Sequence, residues 1–318
     1  MQPGLGGKNR TATLADVRTL GDALVYGGFR VLWAILGALP LSALRRLLEA
    51  LGRLVWLVDH RHREIVAQNL TTAFPDWPPA RVKRVERSTF ANWGRIAAEL
   101  IRFDEIAARR GLDDPTIQAL KRASQPLLER RRGLIVLTAH TGNFELLARL
   151  WGRATGVEIA VFHRAMRNRF IDRFLQAERA ACAFRVVARG SAVREALRIL
   201  ERGGVFVVPL DQNQLPGRGV FVDLFGRPAS TTTLLARLAE ASGAPVLPVF
   251  AAWEGSNTIG LIFDPMETNP PDRRAPRSGR DDVLREMTAE YTAKIEMAIR
   301  RYPEQWNWAH RRWKTRPK

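Results

Sequence analysis

The residues best placed to do chemistry stand in one stretch, 134–146, Leu-Ile-Val-Leu-Thr-Ala-His-Thr-Gly-Asn-Phe-Glu-Leu. His140 is a candidate general base, and Glu145 follows it by five residues. A tight turn between them would fold the carboxylate back onto the imidazole, fixing its tautomer and stabilising the imidazolium. No Ser or Cys nucleophile stands beside the pair, which points to a base acting directly on a bound hydroxyl. Backbone N–H groups of Gly142 and Asn143 are expected to be unpaired at the turn and to face an anion or a developing oxyanion. The bland alternative is a histidine capping a strand end and a glutamate complementing a helix dipole.

The surrounding elements decide between these readings. Leu134 to Leu137 is an apolar, β-branched run that predicts a buried strand. Thr141, Gly142 and Asn143 are turn and N-cap residues, and Phe144 to Trp151 has helical apolar spacing. His140 would then sit at the C-terminal edge of a strand, where open α/β sheets bind ligands. Downstream, strands are expected at 157–162, 184–188, 204–210, 220–222, 245–251 and 259–263, alternating with helices at 168–182, 192–201 and 281–301. Thr231 is expected to cap a further helix that runs to Ala241. The fold class is α/β, a largely parallel or mixed central sheet flanked by helices. Three predicted strands end in polar residues: His140, His163-Arg164 and Asp211-Gln212-Asn213. In a parallel sheet these ends share one edge and converge on one pocket, an arrangement that core packing does not predict.

The 318 residues and 46% hydrophobic content exclude a disordered chain. A single cysteine, Cys182, excludes an intramolecular disulfide framework and Cys-rich metal sites and fits the cytoplasmic side of a membrane. No metal cluster, phosphate-binding loop or dinucleotide fingerprint is present, so no metal or cofactor is expected. The net charge of +18 calls for an anionic partner. The basic residues are spread out and no nucleic-acid motif accompanies them, so anionic membrane or an acidic protein is preferred.

Residues 1–60 are expected to form a polar tail and membrane-associated helices, and 61–318 the catalytic α/β domain. Ala23 to Leu39 is mostly apolar with Arg30 inside it, at the short limit for a membrane span. Leu41 to Val58 places leucines on one side and Arg45, Arg46 and Arg53 on the other, as in a helix lying on an anionic bilayer. A soluble helical hairpin packed on the domain is the alternative. Phe90, Trp93, Ile96, Ala97, Leu100, Ile101 and Phe103 form an apolar stripe, either core or the wall of an acyl-chain groove.

The chain resembles the bacterial late acyltransferases of lipid A biosynthesis, the lauroyl and myristoyl acyltransferases, within the wider lysophospholipid acyltransferase superfamily. The resemblance spans nearly the whole chain. It rests on the apolar N-terminal helix, Asn69-Leu70, Phe74-Pro75, the His-x4-Glu motif at His140–Glu145, and Phe162-His163-Arg164. Asp211-Gln212, the run from Phe225 to Thr231, and Pro303 to Lys314 with its three tryptophans complete it. It implies acyl transfer from acyl carrier protein, or less often coenzyme A, to a hydroxyl of a membrane glycolipid at the cytoplasmic face of the inner membrane. It also implies His140 as base and Glu145 as its orienting partner. Arg164 would hold a phosphate or the thioester oxygen, and Asp211 would support the site. Gln212 and Thr231 complete the expected substrate-binding set. His163 departs from the tyrosine common at that position. The acceptor stays open between a lipid A precursor and another glycolipid such as a phosphatidylinositol mannoside. A glycerophosphate acyltransferase and a non-catalytic basic protein binding nucleic acid or anionic membrane are the remaining alternatives.

Overall fold

The computed structural model describes residues 14–111, 113–163, 165–188, 192–267 and 277–317. Among the described residues six helices precede the first strand: α1 (Leu14–Gly37), α2 (Leu41–Val58), α3 (His60–Ala73), α4 (Pro79–Ile101), α5 (Phe103–Arg110) and α6 (Pro115–Leu128). Strands and helices then alternate: β1 (Leu134–Thr138), α7 (Phe144–Thr155), β2 (Ile159–His163), α8 (Arg169–Ala180), β3 (Phe184–Ala188), α9 (Ala192–Glu201) and β4 (Val205–Pro209). A hairpin of β5 (Val220–Leu224) and β6 (Arg227–Thr231) leads to α10 (Leu234–Ser242), β7 (Val246–Glu254), β8 (Asn257–Ile262) and α11 (Arg277–Arg301). A 3-10 turn, Pro303–Gln305, comes last.

The central sheet has the order β3-β2-β4-β1-β7-β8. All its neighbours are parallel except β7 and β8, so the sheet is mixed through one edge strand. Every residue of β1 is buried, as expected of a strand covered on both faces. After β1 the chain moves towards β2, and after β4 it moves to β7 on the other side of β1. The C-terminal ends of β1 and β4 therefore flank a crevice at a topological switch point. Thr138 pairs with Pro209 in the register, which brings His140 level with Asp211 two residues on.

Three expectations change. The helical apolar spacing of residues 79–110 predicts one helix, but the structure forms two, broken at Arg102, whose guanidinium hydrogen-bonds Gly37 O and pairs with Glu105. Residues 227–231, outside the expected strands, form the second strand of the hairpin. Thr231 is buried in that strand, and Thr232 Oγ1 accepts from Leu234 N at the start of α10 instead.

In α1, residues Thr19–Gly37 are long and apolar enough to cross a membrane, with mean hydropathy 1.3. One face nevertheless packs on α8: Tyr26 stacks on Phe170, and Phe29 and Trp33 meet Phe174 edge-on. Arg30 bonds Tyr26 Oη at 3.0 Å and lies over the Phe174 ring, so its charge is held against an aromatic face. Helix α2 buries Leu44, Leu48, Gly52 and Trp56 against α4. The approach requires glycine on both sides, since a Cβ at Gly52 would collide with Phe90 O and one at Gly94 with Leu48 O. The other face of α2 exposes Leu47, Leu51, Leu54, Leu57 and Val58.

Candidate active site

His140 leaves β1 and enters a turn that only glycine allows at its next step but one. Gly142 has φ +49°, and a Cβ there would stand 2.6 Å from Ala251 O. Asn143 then caps α7, its Oδ1 accepting from Leu146 N at 3.0 Å. Its amide donates to Glu99 Oε2 at 3.0 Å. Glu99 is fully buried and also accepts from Arg45, Arg95 and Trp253 Nε1. One carboxylate thus ties α2, α4 and β7 to the cap of the turn that follows His140.

The acid that meets the imidazole is Asp211, not Glu145. His140 Nδ1 donates to Asp211 Oδ1 at 2.8 Å, and His140 N donates to Asp211 Oδ2, also at 2.8 Å. Glu145 lies in the first turn of α7, facing α8, where both its oxygens accept from Arg179 at 2.8 Å. The five-residue spacing carries it past the imidazole because the turn ends at Asn143 and the helix then directs it sideways. A half-buried arginine fork holds it there.

Asp211 is 4% exposed, and Trp306 Nε1 donates a third hydrogen bond to its Oδ2 at 2.7 Å. Burial opposes its ionisation, but the His140 charge and these donors hold its pKa far below the usual carboxylate range. Burial likewise opposes protonation of His140, yet the Asp211 carboxylate wins and raises its pKa above the ordinary 6.5. A carboxylate can only accept, so Nδ1 carries the proton and Nε2 is the free base. Gln212 Nε2 lies 3.4 Å from that nitrogen, as an amide donor to its lone pair would.

The segment after α11 closes the site. Gln305 O accepts from Gly142 N at 2.9 Å, and Asn307 N donates to His140 O at 2.9 Å. The Gly142 N–H is therefore engaged and is not an oxyanion donor. The helix-start N–H groups of Phe144 and Glu145 have no acceptor within the helix itself. His310 Nε2 accepts from Asn213 N, and burial lowers its pKa, keeping it neutral. Arg312 is fully buried, donating to Ser230 O and Thr231 Oγ1, and desolvation lowers its pKa to about 10. Thr231 is accordingly a buried anchor for Arg312 and not a substrate contact. Asn69 joins α3 to the same segment, its amide donating to Trp308 O and His310 O at 2.7 Å. Phe74 stacks on Trp77 and meets Trp308.

His140, Asp211 and Gln212 are thus brought together. Arg164 lies outside the described residues, as does the His163 side chain. Glu99 was missed, and Trp306 entered only as part of the C-terminal run: neither a glutamate on a helix nor a tryptophan in a polar stretch gives a local sign of the buried polar bond it makes. The apolar side of the site runs from Phe144, which meets the His140 ring edge-on, into a cavity lined by Leu120, Leu147, Trp151 and Val249.

A base held by a carboxylate at a switch point, beside apolar side chains, suits transfer to a hydroxyl of an amphiphile. Comparison with known proteins decides the family. The bacterial lipid A biosynthesis acyltransferase family matches residues 12–315. The chain belongs to that family. It is 29% identical over 310 residues to the lipid A biosynthesis lauroyltransferase of Escherichia coli strain K12, covering 92% of each chain. It is 24% identical over 275 residues to a phosphatidylinositol mannoside acyltransferase of Mycobacterium tuberculosis, covering 83% of this chain and 84% of the relative. The E. coli lipid A biosynthesis myristoyltransferase is 23% identical over 273 residues, covering 85% of this chain and 80% of the relative. The protein is an O-acyltransferase.

Proposed function

We propose that the protein moves a fatty acyl chain from acyl carrier protein, or from acyl-CoA, to a hydroxyl of a membrane glycolipid, most simply a lipid A precursor. The observation that carries the mechanism is the His140–Asp211 pair, with Nε2 left as the free base. The acceptor hydroxyl gives its proton to Nε2 as its oxygen attacks the thioester carbonyl. Asp211 stabilises the imidazolium that forms, and that proton then goes to the departing thiolate. The products are an ester and a free thiol, with no acyl-enzyme. The N–H groups of Phe144 and Glu145, at the positive end of α7, are the candidate oxyanion donors. Glu145 acts through Arg179, fixing α7 against α8.

Membrane attachment at the cytoplasmic face of the inner membrane is supported by the apolar α1 and by the exposed leucine stripe of α2, flanked by Arg46 and Arg53. A second acceptor, a phosphatidylinositol mannoside, is favoured by the mycobacterial relatives at similar identity. Mass spectrometry of total glycolipid from cells with and without the protein tests the assignment. One added acyl group on one glycolipid class supports it and names the acceptor. An unchanged glycolipid profile together with a change in glycerophospholipids refutes it.

A further inference from the structure

The C-terminal segment that closes the active site has a second face. His310 and Arg312 turn inward, whereas Arg311, Lys314 and Arg316 are exposed. These three border a concavity of about 500 Å3 whose other wall is α3, with Gln68, Thr71 and Thr72. A neighbouring concavity of about 570 Å3 shares Thr72, Trp313 and Arg316 and adds Arg227 from the β5–β6 hairpin. Among the described residues no carboxylate lines either one. Among the described residues none of the four cations has an ion-pair partner, whereas Arg179, Arg280 and Arg45 each hold a carboxylate. Convergence of like charges costs energy that a bound anion would relieve.

The remaining groups narrow the anion's chemistry. The hydroxyls of Thr71 and Thr72 donate to helix carbonyls, at 3.0 Å to Ala67 O and 2.7 Å to Gln68 O. Their free lone pairs can therefore only accept, as they would from sugar hydroxyls. Cations and hydroxyl acceptors around one concave surface match a sugar phosphate, which offers an anion and hydroxyl donors together.

We propose that this cleft binds the phosphorylated sugar headgroup of the acceptor, its phosphate on Arg311, Lys314 and Arg316 and its hydroxyls against α3. The proposal rests on the glycolipid-acceptor reading above. The test is hydrogen–deuterium exchange of the full chain in detergent with glucose 1-phosphate, glucose or 4′-phosphopantetheine. Glucose 1-phosphate should slow exchange in residues 65–73 and 309–317, glucose alone should not, and His140→Ala should leave this protection intact. Arg311→Gln with Lys314→Gln should weaken it by about ten-fold or more at unchanged melting temperature, and Arg311→Gln alone should weaken it by less. Protection by 4′-phosphopantetheine but not by the sugar phosphate would make the cleft a donor site and overturn the proposal. Equal protection by glucose, or none by any probe, would overturn it too. Acyl transfer measured separately on the same preparations shows whether the catalytic reading stands when this one falls.

Discussion

Replacing Asp211 by Asn removes one charge and almost no volume, and the donors around the carboxylate dictate how the amide must sit. Oδ2 receives two N–H donors, His140 N at 2.8 Å and Trp306 Nε1 at 2.7 Å, so the amide oxygen must take that position. The NH2 group then faces His140 Nδ1 across the 2.8 Å contact and donates to it. Nδ1 becomes the acceptor and the ring proton moves to Nε2, where the base is needed. Restoring the productive tautomer would oppose two donors in a buried contact. Losing one charge-assisted bond and leaving a buried donor unsatisfied costs about 3–5 kcal/mol. That corresponds to roughly 10²–10⁴-fold in kcat. The pH profile carries a second signature. In the wild type, activity should rise with pH through a His140 pKa above 6.5. In Asp211→Asn, burial remains without the opposing charge, so the limb should move to lower pH. The stability of the pair runs differently. The depressed Asp211 pKa contributes above its ordinary 3.8 and is lost as pH falls through the folded value. The raised His140 pKa contributes fully below 6.5 and is lost as pH rises through the folded value. Both contributions are complete only between these pH values, below the range in which the base is free. Initial rates over pH 5–9, with melting curves on the same samples, check all of this. A folded Asp211→Asn enzyme with kcat within a few-fold of wild type and an unmoved limb would refute the reasoning.

Glu145→Gln breaks a half-buried fork to Arg179 and leaves the imidazole's partner in place. It should cost about 1–2 kcal/mol of stability, on the order of 2–4 °C in Tm, and slow turnover far less than Asp211→Asn. Equal losses in the two variants would return Glu145 to the imidazole. Trp306→Phe keeps the buried ring and removes its N–H bond to Asp211. Steady-state kinetics should give a kcat about ten-fold lower with KM unchanged, whereas a change in KM alone would mean that Trp306 shapes a binding surface. Changing Leu47, Leu51 and Leu54 to Ser removes the exposed apolar stripe of α2 without touching its α4 face. Less protein should float with anionic vesicles, most visibly at high salt, where the arginines are screened. Unchanged flotation would leave attachment to α1.

The turn that carries His140 was legible in sequence because its signals are local: β1, Asn143 as cap and α7 fall within a residue or two of expectation at their facing ends. The convergence of polar strand ends followed from parallel topology, and it brought Asp211 to His140 across 71 residues. The partner of His140 was misread because a five-residue spacing states proximity along the chain and says nothing of which way a helix turns its first carboxylate. Arg179, which settles that direction, lies on the next helix. The break between α4 and α5 falls where Arg102 reaches Gly37 O, 65 residues away, a contact with no periodic signature. The C-terminal tryptophans and Arg312 were conspicuous in sequence, but their meaning is tertiary. Trp306, Trp308 and Arg312 bond Asp211, Pro303 O and Ser230 O, partners that no pattern within the segment specifies.

The most direct test of the central claim is the single-turnover rate of acyl transfer from acyl carrier protein to a phosphorylated disaccharide lipid, measured with wild type and His140→Ala side by side. The claim that His140 is the base predicts one acyl group gained by the acceptor, no acyl-enzyme at any time, and a rate roughly 10²–10⁴-fold lower in His140→Ala at unchanged melting temperature. A folded His140→Ala protein that transfers acyl groups at near the wild-type rate would contradict it.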